Sequence, residues 1–509
     1  MIARVLSGAV YGVDAFTVDV EIDFSRKGLP AFSMVGLADG AVRESRDRVF
    51  SALKSSSYSL PPARITVNLA PADRKKAGSV YDLPLAIGLL QGAGVLPPES
   101  TAGYYLAGEL SLTGEVRPVQ GILPLAILAR DKGARGFIVP ASNALEAAVV
   151  EGLKVYPVQS VSETAEFFLG ATALSPAKAK PFTRESNHAF GLLDYADVKG
   201  QDHAKRAVEI ATAGGHNMLL LGPPGSGKSM LAQRLPSVLP SLSFEEALEV
   251  TKIYSVAGLL EADHGLMQER PFRTPHHTIS EYGLIGGGSW PKPGEISLAH
   301  GGVLFLDELL EFRKQTLEVL RQPLETGAVT IARANQTVQF PASCMLIAAM
   351  NPCPCGYLTD TRKACTCSQA DIRRYRARLS GPLLDRIDLH VEVPAVSYAD
   401  MSAEKPGKSS AEMRANVMRA RDIQATRYVG NGSICNADLQ GQNLDKYCGL
   451  DEKTHAFLGK AVERLCLSAR AYTRILRLSR TIADLQAEDS IRLEHVAEAI
   501  NCRCLDREQ

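Results

Sequence analysis

The chain has 509 residues, 45% hydrophobic and 22% charged, with 56 Lys+Arg against 56 Asp+Glu and so a formal net charge of zero. That length is too great for one ordinary core and suggests about three domains. The charge balance excludes any argument for nucleic-acid binding from overall basicity, so such a role needs local basic surfaces. The most apolar stretch, around residues 81–90, is too short to span a bilayer. Asp14 and Asp19 fall where an export signal needs an apolar run. A cytoplasmic protein without membrane contact is expected, and in that compartment clustered cysteines point to metal before disulfide.

Residues 1–170 mix strand-like runs (15–22, 64–68, 137–139) with helical patterns (42–54, 83–90, 123–132), an α/β reading. Residues 171–194 read as a linker, because "ATALSPAKAKPFTRESN" is rich in Ala, Pro, Lys and Ser and lacks periodicity. Residues 195–395 alternate apolar strands with helices, the pattern of a parallel sheet with crossover helices. Residues 396–509 are helical, with patterns at 411–428, 452–465, 468–485 and 493–501.

"MLLLGPPGSGKSML" (218–231) joins an apolar strand to a Gly-rich turn and a helix start. The loop Gly222, Pro223, Pro224, Gly225, Ser226 and Gly227 can wrap a triphosphate with the backbone N–H groups of its non-proline residues and the helix N-terminus; Lys228 can neutralise its outer oxygens and Ser229 can ligate Mg²⁺. "GVLFLDELLEF" (302–312) follows: a buried strand delivering Asp307, to hold Mg²⁺, and Glu308, to polarise the attacking water. Both motifs in this order predict ATP hydrolysis. A third apolar strand, "CMLIAAMNP", ends in Asn351, either a sensor of the γ-phosphate and water or a turn-forming Asn before Pro. Arg386 stands between Asp385 and Asp388, as a local ion pair or as an arginine finger.

Cys353, Cys355, Cys365 and Cys367 form two Cys-x-Cys pairs shortly after Asn351. Four such thiolates can meet around a structural Zn²⁺; a reduced buried pair or redox switch is the alternative. Arg362, Lys363, Arg373 and Arg374 beside them are candidate DNA contacts. His276 and His277 are adjacent in an extended segment, where side chains point opposite ways, with no carboxylate or Cys nearby in sequence. They read as hairpin-base or substrate-loop residues rather than metal ligands.

The ordered set GPPGSGKS, VLFLDE, AAMNP and LLDRIDLH resembles the AAA+ ATPases of the helix-2-insert clade, which includes the magnesium-chelatase motor subunit and the MCM helicases. Residues 270–312 and 468–485 resemble the magnesium chelatase-like ComM/YifB group within it, and the likeness covers nearly the whole chain. It implies an α/β/α P-loop core with a helical lid, assembled as a homo-hexameric ring. It makes Arg386 a finger acting on the neighbouring subunit and Arg470 the sensor-2 residue, with Arg474 as fallback. The alternative for Arg470 and Arg474 is a solvated basic stripe with Arg477 and Arg480. The clade's inserted hairpin would lie in 270–300 and a second in 327–341, with Lys292 and Arg333 as DNA phosphate contacts.

"PADRKKAGSVYDLPLAIGLL" (71–90) and residues 108–143 resemble the Lon peptidase domain, of ribosomal S5 domain 2-like fold. The resemblance puts Val80 at the nucleophile position and Leu125 at the lysine position. Ser79 is one residue off and Lys132 about two turns beyond, so peptidase activity is not expected. The domain would serve as a scaffold or nucleic-acid-binding ring; Arg74, Lys75 and Lys76 suit a phosphate contact or a solvated loop. The resemblance implies an ATP-dependent DNA motor or helicase promoting branch migration of recombination intermediates, associated with natural transformation, with recombination proteins as candidate partners. A metal-chelatase-type motor subunit and an ATP-dependent protease are the rivals.

Overall fold

The computed structural model describes residues 2–37, 39–182, 193–261, 265–288, 290–333, 336–360, 362–396, 407–430 and 435–507. The N-terminal region builds a seven-stranded mixed sheet. Its strands run in the order Ala31–Val35, Arg64–Ala70, Asp14–Ser25, Ile2–Tyr11, Tyr104–Leu106, Gly136–Pro140, Val155–Val158. Alternation sets its faces: Val18, Val20, Ile22 and Phe24 are buried while their neighbours along the strand are more exposed. The helix Asp82–Ala93 is buried along its whole length. It lies so close to the sheet that a Cβ on Gly88 would stand 2.7 Å from Ile22 Cδ1. Glycine there permits the approach.

The central region is a five-stranded, wholly parallel sheet in the order Phe272–Arg273, Val303–Leu306, Met345–Met350, Met218–Leu221, Leu389–Glu392. The three middle strands are buried at every position, as expected for a parallel sheet covered on both faces. This is the α/β core expected from the sequence, followed by helices Ser410–Arg427, Glu452–Arg464, Ala469–Leu485 and Leu493–Asn501. The hairpin expected within 270–300 is there, preceded by Phe272–Arg273, an edge strand of the sheet paired with Val303 and Leu304. The insert begins after it, with a short helix Glu281–Ile285 and an antiparallel pair of Gly286–Gly287 with Lys292–Pro293. The second hairpin is Ala328–Arg333 against Gln336–Pro341; its tip, 334–335, lies outside the described residues.

The N-terminal unit is docked on the central region through polar contacts. Ser255, on the helix Phe244–Ala257, donates to Glu146 at 2.5 Å, and its carbonyl accepts the Gly121 N–H. Glu146 also accepts from the Leu123 N–H and from Asn143; burial raises its pKa and these bonds oppose the rise. Tyr11 donates its hydroxyl to the Thr337 carbonyl at 2.6 Å, touching the second hairpin. Of the expected linker, residues 183–192 lie outside the described residues. Before them the Ala177 N–H donates to Val155, and Phe182 meets Phe244 edge-on at 5.8 Å. No helix among the described residues is long and apolar enough to cross a membrane.

Candidate active site

Three strand ends converge. After Met218–Leu221 the chain turns through Gly222–Gly227, with Gly225 and Gly227 at φ of +75° and +93°, a conformation glycine adopts without strain. A Cβ on Gly222 would stand 2.1 Å from the Val393 carbonyl oxygen, so the backbone there admits no side chain. Lys228 folds back under the turn and donates to the carbonyls of Gly222 (2.8 Å) and Pro223 (2.9 Å), with Asn351 Oδ1 at 3.3 Å. Burial lowers its pKa, opposed by the negative Asp307 and Glu308. Ser229 Oγ donates to Asp307 Oδ2 at 2.5 Å, and the other Asp307 oxygen accepts the Glu308 N–H at 2.9 Å. The sequence-predicted Lys228, Ser229, Asp307 and Asn351 are thus brought together, Lys228 beside Asn351 and Ser229 on Asp307. Glu308 is next to them at φ +50°, its side chain 60% exposed.

The arginines lie elsewhere. Arg386, Arg470 and Arg474 line a cavity of about 730 Å³ together with Asn217, Ser343 and Asp388. These last three closely precede the strands Met218–Leu221, Met345–Met350 and Leu389–Glu392, whereas the phosphate loop and Asn351 follow the strands' other ends. The cavity and the loop sit at opposite edges of one sheet, about 13 Å apart along a four-residue strand. Arg386 is ion-paired with Glu325 and donates to the Pro382 carbonyl at 2.6 Å.

The solvated-stripe alternative fails for most of the lid arginines. Arg474 is paired with Asp388, a carboxylate 6% exposed. Burial pushes that carboxyl up, but Arg474, His216 and Arg477 outweigh it and hold it well below the usual range. Arg480 is buried on Asp484 and on the carbonyls of Glu488 and Asp489. Only Arg470, 61% exposed and 3.3 Å from Asp385, fits the description of a solvated cation.

The four cysteines do come together, all Sγ atoms within 4.8 Å of one another. Cys353–Cys355, Cys355–Cys365 and Cys353–Cys365 are separated by 3.4, 3.5 and 3.7 Å. A disulfide needs about 2.05 Å; a tetrahedral Zn²⁺ with bonds of about 2.3 Å spaces its sulfurs by about 3.8 Å. The chemistry and spacing of this donor set fit zinc. Backbone N–H groups of Tyr357 and Thr366 draw the Cys355 thiol down to about 5, while burial pushes Cys353 up to about 12. The loop leans on the phosphate loop: a Cβ on Gly356 would meet Pro224 Cδ at 2.6 Å. Of the cations beside it, Arg362 folds onto Asp360 and Lys363 onto the Tyr357 ring, while Arg373 and Arg374 are exposed.

Lys292 is exposed on the insert hairpin. Arg333 ends the first strand of the second hairpin opposite Gln336, but its side chain lies outside the described residues. In the N-terminal unit Val80 and Leu125 join one apolar cluster, so hydrocarbon fills both positions of the Lon-type pair. Ser79 is hydrogen-bonded to Glu109, and Lys132 is exposed at the end of the helix Ile122–Asp131. Of the cluster 74–76, Arg74 and Lys75 are exposed on a loop, as a solvated loop requires, and Lys76 is not. Lys76 is fully buried and donates to the Pro71 carbonyl, and Arg74 covers the Phe16 ring. Sequence reasoning also found no carboxylate near the histidines, yet His277 Nδ1 lies 3.5 Å from Glu308 Oε2. That contact is made across two strands and leaves no local signal.

Three successive segments match family descriptions: residues 20–143 "Subunit ChlI of Mg-chelatase", 194–401 "Magnesium chelatase, subunit ChlI", and 407–503 the same subunit's C-terminal region. The competence protein ComM of Haemophilus influenzae is 45% identical over 99% of this chain and 98% of its own length. The uncharacterized protein YifB of Salmonella typhimurium is 42% identical over the same shares. The magnesium-chelatase 67 kDa subunit of Chlorobaculum parvum is 27% identical over 32% of this chain and 24% of its own. The chain belongs to the magnesium chelatase-like AAA+ ATPases of the ComM/YifB family.

Proposed function

We propose that this protein is an ATP-driven DNA motor that promotes branch migration of recombination intermediates, working as a homo-oligomeric, hexameric ring. The observation that carries the reading is the separation of two half-sites. Lys228, Ser229, Asp307, Glu308 and Asn351 gather at one edge of the sheet, and Arg386 and Arg470 open a cavity at the other. Arginines so far from their own phosphate loop can meet a nucleotide held by a neighbouring subunit, and a head-to-tail ring supplies that neighbour.

ATP and Mg²⁺ suit the residues present. The turn is open at Gly225, where a Cβ would meet nothing within 4 Å, and Ser226 Oγ is buried without a partner. Ser229 and Asp307 would hold Mg²⁺, which supplies charge neutralisation on the phosphate oxygens. Lys228 would exchange its two carbonyl partners for phosphate. Glu308 would take the proton of the attacking water and Asn351 would orient that water. Arg386, and Arg470 as sensor 2, would complete the neighbour's site; Arg474, committed to Asp388, is the weaker candidate.

For the substrate, support comes from the two hairpins, with Lys292 and Arg333 as phosphate contacts, and from the relative named as a competence protein, which points to natural transformation and recombination partners. A metal-chelatase-type motor is the alternative, favoured by the match to the ChlI subunit. A protease is disfavoured by Val80 and Leu125. The test is the purified protein with ATP, a labelled four-way junction and casein. The junction is expected to be converted with ATP and the casein left intact; casein hydrolysis without junction movement overturns the reading.

The four-cysteine loop would bind one structural Zn²⁺ and brace the wall between Asn351 and Pro224. The protein is expected to retain about one zinc per chain after dialysis. Cys365→Ser with Cys367→Ser should abolish it and lower the thermal midpoint by several degrees. Wild-type protein without zinc, or zinc unaffected by the double substitution, ends the assignment.

A further inference from the structure

The two edges of the seven-stranded N-terminal sheet differ. Along Val155–Val158 the Ala177 N–H donates to the Val155 carbonyl, so later chain already covers that edge. At the other edge Ala31–Val35 pairs with Arg64–Ala70, and among the described residues no strand lies beyond it. The Ala31 N–H donates to Ala63. In a parallel ladder that turns the N–H and C=O of Phe32 and Met34 outward, away from Arg64–Ala70. Such an edge is a template for another extended chain, and natural sheets blunt it with charge or proline. The strand "AFSMV" has neither, and Leu29, Val35 and Leu37 in and beside it are exposed.

The start of this strand forms one side of a groove of about 740 Å³, closed by the helix Gly40–Ser55 and by residues 57–63. Phe32, Phe50, Tyr58 and Leu60 line it half-buried, resting on the domain core. Phe32 meets Phe50 edge-on at 5.8 Å, and such a surface accepts a further ring in offset or edge-on geometry. The cations of the lining are Arg46 and Lys54, and no carboxylate is among the lining residues. The Arg46 guanidinium lies 5.5 Å from the Phe32 ring. Its neighbour Asp47 stands 4.0 Å away with a side chain 91% exposed, so that charge stays open to a further partner. Val80 and Leu125 do not line the groove, which is therefore separate from the Lon-type positions.

We propose that this groove and the strand edge beside it dock an extended, acidic segment of a partner protein. Its backbone pairs with the outward groups of Phe32 and Met34, the strand-addition mode of peptide recognition. One aromatic side chain seats on Phe32 and Phe50, and flanking carboxylates meet Arg46 and Lys54. The lining fixes the sign of the occupant's charge, and the open edge fixes its extended conformation. Head-to-tail pairing of two such sheets is not available, because the Val155 edge that would supply the second strand is already covered. The docking site is independent of the motor reading above.

The test is fluorescence anisotropy of the full chain with the labelled peptide Asp-Asp-Glu-Phe-Thr-Leu. Wild type is expected to saturate in the micromolar range. Replacing the peptide's Phe by Ala should weaken binding about 10- to 100-fold, the worth of one buried aromatic side chain. Arg46→Glu combined with Lys54→Gln should weaken it about tenfold. Both side chains are exposed, so the thermal midpoint of that variant should stay within a few degrees of wild type. Amide exchange over residues 31–35 should slow when the peptide binds. Anisotropy that does not saturate by about 1 mM overturns the proposal. Equal binding of the Phe-to-Ala peptide, or of the charge variant, leaves no groove-specific recognition and overturns it too. Unchanged exchange over 31–35 removes the strand pairing. A charge variant whose sedimentation shows altered assembly without peptide gives the groove to a second copy of the chain and overturns the partner assignment.

Discussion

Glu308→Gln is expected to lower steady-state ATP hydrolysis by about 10²–10⁴-fold, the scale of a positioned general base, while nucleotide still binds. The substitution keeps the side chain's length and removes its capacity to take a proton. It leaves untouched the groups that would hold the nucleotide: Lys228, resting on the Gly222 and Pro223 carbonyls, and Ser229 beside Asp307. Asp307→Asn is the contrasting variant, since Asp307 meets Ser229 with one oxygen and the Glu308 N–H with the other. It should weaken Mg²⁺-nucleotide binding as well as the rate. Phosphate release and binding of a fluorescent ATP analogue check both. A Glu308→Gln rate within a few-fold of wild type removes Glu308 from the chemistry, and loss of nucleotide binding in that variant makes it part of the binding site instead.

How far such a site can be read from sequence depends on which of its contacts are local. Met218–Leu221, Val303–Leu306 and Met345–Met350 are continuous apolar runs with polar residues at or near their ends. A buried parallel strand needs that pattern, so the sequence pointed to Lys228, Asp307, Glu308 and Asn351. Phe272–Arg273 is too short for any periodicity, and its pairing with Val303 emerges only in the folded sheet. The His277–Glu308 contact depends on that pairing and was hidden with it. Charge patterning misled for a different reason. Arg470, Arg474, Arg477 and Arg480 recur at helical spacing, which ordinarily marks a solvated face. Asp388 and Asp484 give buried partners to Arg474 and Arg480, the first from far along the chain and the second from one turn on. Lys76 likewise looked solvated among its basic neighbours until the turn at Pro71 offered a carbonyl beneath the surface.

Arg386→Ala is expected to lower ATPase activity by about 10³-fold or more, the usual worth of an arginine finger, and the loss should be repaired by a partner that is itself inactive. Within one subunit Arg386 is held by Glu325 and the Pro382 carbonyl at the sheet edge opposite the phosphate loop. Alone it cannot serve its own nucleotide. Glu325 lies just before the second hairpin, which begins at Ala328, so Arg386 is tethered next to that hairpin. The Glu325 carboxyl is drawn below its usual range by the hydrogen bond and charge of Arg386, the local signature of that tether. If the finger acts on the neighbour, an Arg386→Ala subunit still offers an intact phosphate site and a Glu308→Gln subunit still offers an intact finger. Random equimolar mixing in a head-to-tail ring then produces complete composite sites at about a quarter of the interfaces. The mixture of two inactive proteins should regain ATPase activity, whereas adding Arg386→Ala to wild type should depress it more than dilution does. An inert mixture of the two variants, with wild-type activity falling only in proportion to dilution, would return Arg386 to the status of a local ion pair and remove the structural case for a ring.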